Sequence, residues 1–125
     1  MNDDTVLLRQ VHPNFAPNGA LTSQAFIPFP KDRGRLSVYD GDMISAARAY
    51  QHYTLELGNQ SCGVWGVSCA EVREAGLTSL SDPLPDFSAH ALIDFGAASD
   101  KECRKLAKRL KAAAVNRGCL YDGTI

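Results

Sequence analysis

Two capping boxes constrain this chain more than any other feature. Ser68-Cys69-Ala70-Glu71 and Ser99-Asp100-Lys101-Glu102 each stand just after a short apolar segment. In such a box the serine hydroxyl takes one free amide of the first helical turn, and the glutamate reaches back to the serine amide. Each box therefore marks a place where a strand gives way to a helix. The segments before them, residues 62–67 around Trp65 and residues 89–95, read as strands. The helix opened at Ser68 is short because Gly76 ends it. The one opened at Ser99 is the longest, running to about Asn116 and stopped by Gly118. Along it Cys103, Leu106, Ala107, Leu110, Ala113 and Ala114 recur at helical spacing, so one stripe packs on a core.

Three strands are predicted ahead of these units. Residues 5–11 are apolar and β-branched and end at His12-Pro13, where proline removes a donor and restricts its predecessor. Residues 21–27 alternate, with Leu21, Ser23, Ala25 and Ile27 against Thr22, Gln24 and Phe26. Residues 36–39 form a short strand ended by Asp40-Gly41. A helix over 46–57 follows, with Ser45 as N-cap, Gly58 as its stop, and Ala46, Ala49, Tyr50, Tyr53 and Leu57 on one face. Pro17-Asn18-Gly19 marks a turn, residues 28–35 form a basic loop with two prolines, and residues 82–88 form a proline-bearing loop. The order β-β-β-α-β-α-β-α predicts a single compact α+β domain over 1–125. Its sheet is expected to be mixed or antiparallel, of about five strands, with three helices. At 125 residues there is length for one real core, and no repeat or linker divides it.

Composition excludes several classes. A 45% hydrophobic and 22% charged chain with net charge -1 is neither disordered nor drawn in bulk to nucleic acid or anionic membrane. The Met1-Asn2-Asp3-Asp4 start is acidic, and Val6-Leu7-Leu8 is interrupted at once by Arg9, so a cytoplasmic location without membrane insertion is expected. The four cysteines include no CxxC pair; free thiols are expected rather than zinc ligands or disulfides, and no metal site is predicted. The motifs of dinucleotide folds, P-loops, esterases, zincins and zinc deaminases are absent.

Candidate functional residues concentrate in residues 6–54. Arg9 and His12 close the first strand. An arginine there can grip an anion bidentately with the histidine as a nearby acid, base or donor; the alternative places Arg9 on an exposed strand face and His12 at a loop cap. Ser23, Tyr39 and Tyr53 carry hydroxyls that can orient a polar ligand, and His52 lies beside the apolar face of its helix. Lys101, Arg104, Lys105, Lys108, Arg109 and Lys111 give the last helix a basic face. No aromatics interleave with these charges, which favours a solvated face over nucleic-acid binding. His90 and Asp94 share a strand face, but at roughly 3.3 Å per residue they stand too far apart for a dyad.

In order and spacing, the Leu7-Leu8-Arg9-Gln10-Val11-His12-Pro13 opening, the Gly19 loop, the Leu36-Ser37-Val38-Tyr39 strand and the helix Ala46-Ala47-Arg48-Ala49-Tyr50 resemble the N-terminal half of the RES family. These are NAD-consuming toxins of the ADP-ribosyltransferase-like superfamily. The resemblance implies that Arg9 binds cofactor phosphate or ribose and that Tyr39 packs against nicotinamide. The chain departs from the family where Thr22-Ser23-Gln24-Ala25-Phe26 replaces a Gly-Gly-Arg-Trp-Asn segment. It departs again where Glu56 lies at the far end of the helix rather than within it.

Two functions are therefore expected. The first is a nucleotide- or NAD-binding, or NAD-processing, protein in which Arg9 and His12 hold ligand, Ser23 and Tyr39 position it, and His52 is the catalytic candidate. It requires Arg9, Ser23, Tyr39 and His52 to converge on one pocket. The second is a non-enzymatic partner-binding protein (an antitoxin, immunity or defence-system accessory) that uses the 28–35 loop and the basic helical face.

Overall fold

The computed structural model describes residues 1–124. Its elements are β1 (Val6–Val11), β2 (Arg35–Asp40), α1 (Ala46–Gln51), β3 (Gly63–Ser68), α2 (Cys69–Glu74), β4 (Thr78–Ser81), β5 (His90–Asp94), α3 (Asp100–Arg117) and β6 (Tyr121–Asp122). All six strands join one antiparallel sheet in the order β4-β5-β2-β1-β3-β6. This is the α+β class expected.

Both capping boxes form. Ser68 Oγ accepts from the Glu71 amide at 3.1 Å while Glu71 Oε1 accepts from the Ser68 amide at 2.7 Å. The corresponding bonds at Ser99 and Glu102 are 3.2 and 3.0 Å. Ser45 caps α1 through the Arg48 amide. Beyond Gln51 the helix widens into a π-helical turn over His52–Glu56, closed by Leu57 N–H donating to the His52 carbonyl at 3.0 Å. Such turns insert one extra residue and re-aim the side chains beside them.

The alternating side chains of the strands divide the core. On one face Leu7, Val11, Val38, Val67 and Ile93 pack against α2 and α3, whose Ala107, Leu110 and Ala114 are fully buried. On the other, Leu8, Tyr39 and Val64 pack under α1 with Ala49, Tyr50 and Tyr53.

The 21–27 segment is not a strand. β1 is already flanked by β2 and β3, so no edge is open beside it. The segment instead folds as a 3-10 turn over Ser23–Phe26 that packs on α3, burying Leu21, Ala25 and Phe26 at helix-like rather than alternating spacing. Thr22 pins its start, donating from both its amide and Oγ1 to the Phe15 carbonyl. Two strands come from segments with little apolar content. The edge strand β4 follows Gly76, whose φ of +91° turns the chain out of α2, and β6 adds two residues to β3.

Among the described residues no helix is long and apolar enough to cross a membrane. The four cysteines are free; Cys69 is buried and Cys119 exposed. No group of three or more His, Cys, Asp or Glu among those residues could hold a metal ion.

Candidate functional site

The β1–β2 ladder is short. It is registered only at Leu7↔Asp40 and Leu8↔Tyr39. Gly41 N–H donates to the Val6 carbonyl, which fixes Leu8–Tyr39 as a mutually hydrogen-bonded pair and Gln10–Ser37 as the next one due. That next pair does not form, and the strands splay. The Arg9 side chain enters the opening: Nε donates to the Ala25 carbonyl at 2.8 Å and Nη1 to the Ser37 carbonyl at 2.9 Å. Arg9 thus ties the 3-10 turn to β2. No carboxylate among the described residues lies within 4.0 Å of its guanidinium. Burial lowers its pKa from the ordinary arginine value, opposed by Tyr53 and Asp32.

A cleft of about 520 Å³ lies over this opening, on the sheet face opposite α3. Its floor is Gln10, Ser37, Tyr39 and His90, with Arg9 at the split. One wall is the π-helical turn, through His52, Tyr53 and Leu57, and the other is the β4–β5 connection, through residues 84–87. That connection is held rigid by reciprocal backbone bonds between Leu84 and Phe87, both 3.0 Å, around a Pro85-Asp86 turn. The volume lies within the range of small-molecule sites, and most of the lining is apolar or aromatic.

Three rings build the inner wall. The His52 ring stacks on Phe87 with centroids 3.9 Å apart and planes 13° apart. Tyr39 meets both edge-on, at 5.7 and 5.4 Å. Its hydroxyl lies 3.0 Å from His52 Nδ1. Burial, with Tyr53 and Glu56 nearby, pushes the Tyr39 pKa up, so the phenol keeps its proton and can serve Nδ1 as donor or acceptor according to the ring's tautomer.

Gln10 is 6% exposed. Its Oε1 accepts from Ser61 Oγ at 2.8 Å, and its Nε2 has no partner among the described residues. Gln10 also lines the cleft, and a buried amide end left unpaired costs free energy.

Across the cleft His90 Nδ1 lies 3.0 Å from Asp82 Oδ2 and 3.1 Å from the Asp82 carbonyl, while Nε2 lies 3.3 Å from Ser37 Oγ. Asp94, the partner excluded on distance, accepts from the Gly96 amide instead.

Of the four side chains expected to converge, Arg9, Tyr39 and His52 do so and Ser23 does not. Ser23 opens the 3-10 turn that packs on α3, because its segment found no sheet edge to join. His12 is also outside the cleft. Its Nδ1 accepts from the Asn14 amide at 3.0 Å, capping a turn, and its Nε2 donates to Gln60 Oε1 at 2.9 Å. It borders a smaller adjoining recess of about 250 Å³ that shares Arg9, Gln10 and Tyr53 with the cleft. Gln10, Ser37, Phe87 and Asp82 belong to the same region without standing out as candidates in the sequence. Period-two alternation from Leu8 and from Tyr39 places Gln10 and Ser37 on the cleft face, a signal present in the sequence. No local signal brings Asp82 to His90, because that contact depends on β4 being a strand.

Comparison with known proteins finds no matching family model, no matching curated relative and no matching solved structure.

Proposed function

We propose that the cleft binds a small anionic ligand bearing a planar ring, of the nucleotide class, with NAD the candidate that the likeness to RES toxins implies. The observation that carries this reading is Arg9: a cation held by two carbonyls, with no carboxylate among the described residues within 4.0 Å, at the edge of an aromatic-walled cleft. A phosphate or ribose oxygen would complete its coordination, and the unpartnered Gln10 amide would supply a second donor. The Tyr39, His52 and Phe87 rings offer the apolar surface that a base or nicotinamide ring needs. His52 remains the candidate for proton transfer, since its Nε2 is the ring atom free to reach a ligand. Titration calorimetry with NAD and with ADP-ribose tests the reading. Saturable binding that Arg9→Ala abolishes is expected, together with NAD consumption by the wild type if the site is catalytic. Absence of binding at millimolar ligand would overturn it.

One observation favours the partner-binding alternative. The 28–35 loop and the start of α3 lie together, with Phe29, Arg33 and Arg104 bordering a common recess of about 610 Å³. Phe29 is 49% exposed. This recess shares no lining residue with the cleft, so a complex made there would survive Arg9→Ala and be lost on combining Arg33→Glu with Arg104→Glu.

A further inference from the structure

We infer that Ser37, His90 and Asp82 form a nucleophile–base–orienter array that attacks small carboxylic esters held in the cleft by an apolar or aromatic portion. The array is built by the sheet order itself. β4, β5 and β2 are adjacent, so Asp82 just past β4, His90 on β5 and Ser37 on β2 line up across three strands. Tyr39 faces His90 in the β2–β5 register, and Ser37, two residues away on the same face, is its diagonal neighbour.

The hydrogen bonds fix the protonation pattern. Both atoms near His90 Nδ1, the carboxylate Oδ2 and the carbonyl of Asp82, are acceptors, so Nδ1 must carry a proton. In the neutral ring Nε2 is therefore the lone-pair nitrogen, 3.3 Å from Ser37 Oγ. This is the tautomer a general base for a serine hydroxyl requires, and the slightly long bond is typical of sites without substrate. Asp82 is the positioning residue. Its amide also donates to the His90 carbonyl at 3.0 Å, so backbone and side chain hold the imidazole together. Ser37 is exposed to the cleft.

A second observation points to a reacting oxygen. Gln10 lines the same cleft as Ser37, and its buried Nε2 has no partner among the described residues. Turned toward Ser37, that amide would be the donor for the oxyanion that forms when Ser37 attacks a carbonyl. In the first step the Ser37 Oγ–C bond forms as the hydroxyl proton passes to His90 Nε2. The alcohol then leaves, taking that proton as its C–O bond breaks. Water next attacks the acyl-serine, giving its proton to Nε2. That proton returns to Oγ as the carboxylic acid departs, so ester and water become acid and alcohol with no other reactant. This chemistry uses the cleft but not NAD, so it stands or falls separately from the nucleotide reading.

Diisopropyl fluorophosphate is the direct probe: Ser37 Oγ forms a bond to phosphorus, fluoride leaves and His90 takes the proton. Intact-mass and peptide analysis should show one organophosphoryl group per chain, on Ser37, and none on Ser37→Ala. The labelling rate should fall at least about 100-fold in His90→Gln. Asp82→Asn should slow it at least about tenfold, and Asp82→Glu less than Asp82→Asn. p-Nitrophenyl acetate hydrolysis should fall in parallel. Because Asp82 is at the surface, its variants decide the matter even if His90→Gln fails to fold. No adduct on the wild type, an adduct elsewhere, or labelling that is unchanged in the Asp82 and His90 variants that fold would overturn the proposal.

Discussion

Arg9 Nη1 donates to the Ser37 carbonyl at 2.9 Å, in place of the Gln10 amide that a continuing β1–β2 ladder would bring to that oxygen. A side chain thus substitutes for backbone at the point where the sheet opens, and the opening is what gives the cleft its floor. Arg9 is at once a structural clasp and the cleft's cation.

The clasp predicts a stability cost that a charge-conserving change does not prevent. Lysine has one compact ammonium and cannot reproduce a fork that reaches two carbonyls on different elements. Hydrogen bonds to charged groups contribute about 1.5–3 kcal/mol each. Arg9→Lys should therefore lower unfolding free energy by about 1–3 kcal/mol in urea, followed by the fluorescence of the buried Trp65. A variant as stable as the wild type would show that the two carbonyls find other partners.

How much of this was legible depended on whether a signal was local. The capping boxes at Ser68 and Ser99 act within four residues, and both form with the partners expected of them. The Leu106 and Leu110 stripe likewise needs only helical periodicity, and it meets the core. The alternation at residues 21–27 is also local, but a strand needs a free edge, and β2 and β3 occupy both sides of β1. Edge strands β4 and β6 carry few buried side chains, so periodicity cannot reveal them. The cleft inherits this pattern. Arg9, Tyr39 and His52 stood out by residue type, whereas Asp82 reaches His90 only through the pairing of β4 with β5.

Gln10 should show function set against stability. Replacing it with leucine removes a buried amide whose Nε2 is unsatisfied, at the loss of one bond from Ser61, which retains the Gly63 carbonyl as acceptor. An apolar group of similar size at such a site is neutral or stabilising. Gln10→Leu should leave the melting temperature unchanged or raise it, while ligand affinity in the cleft falls. A marked drop in melting temperature would mean that the amide is satisfied in solution.

Glu71 should give the fold an acid-sensitive contact. Burial works against its ionisation, but the Arg117 guanidinium and the Ser68 amide outweigh it and hold the carboxyl below its ordinary value. A carboxylate whose folded pKa is depressed adds stability above its unfolded pKa, about 4.3. That stability is lost as pH falls toward the folded value. Wild-type stability should therefore decline between about pH 5 and pH 3 more steeply than that of Glu71→Gln, measured by urea unfolding across that range. Equal slopes would remove Glu71 from the acid response.

Phe87 carries the last prediction, because it joins the hairpin wall to the helical wall. Its ring lies flat on His52 and edge-on to Tyr39, and the Leu84–Phe87 backbone bonds hold it there. Aromatic pairs of this kind contribute about 0.5–1.5 kcal/mol each beyond area burial. Phe87→Ala should cost about 1–3 kcal/mol of stability and weaken the binding of ring-bearing ligands more than that of inorganic phosphate, since the anion contact proposed at Arg9 does not involve this ring. The stacking can also be read directly. A proton on the His52 ring lies over the face of Phe87 and is shielded by it, so its NMR resonance should move downfield in the variant. An unmoved His52 resonance would show that the two rings are not stacked in solution and that the cleft has no fixed aromatic wall.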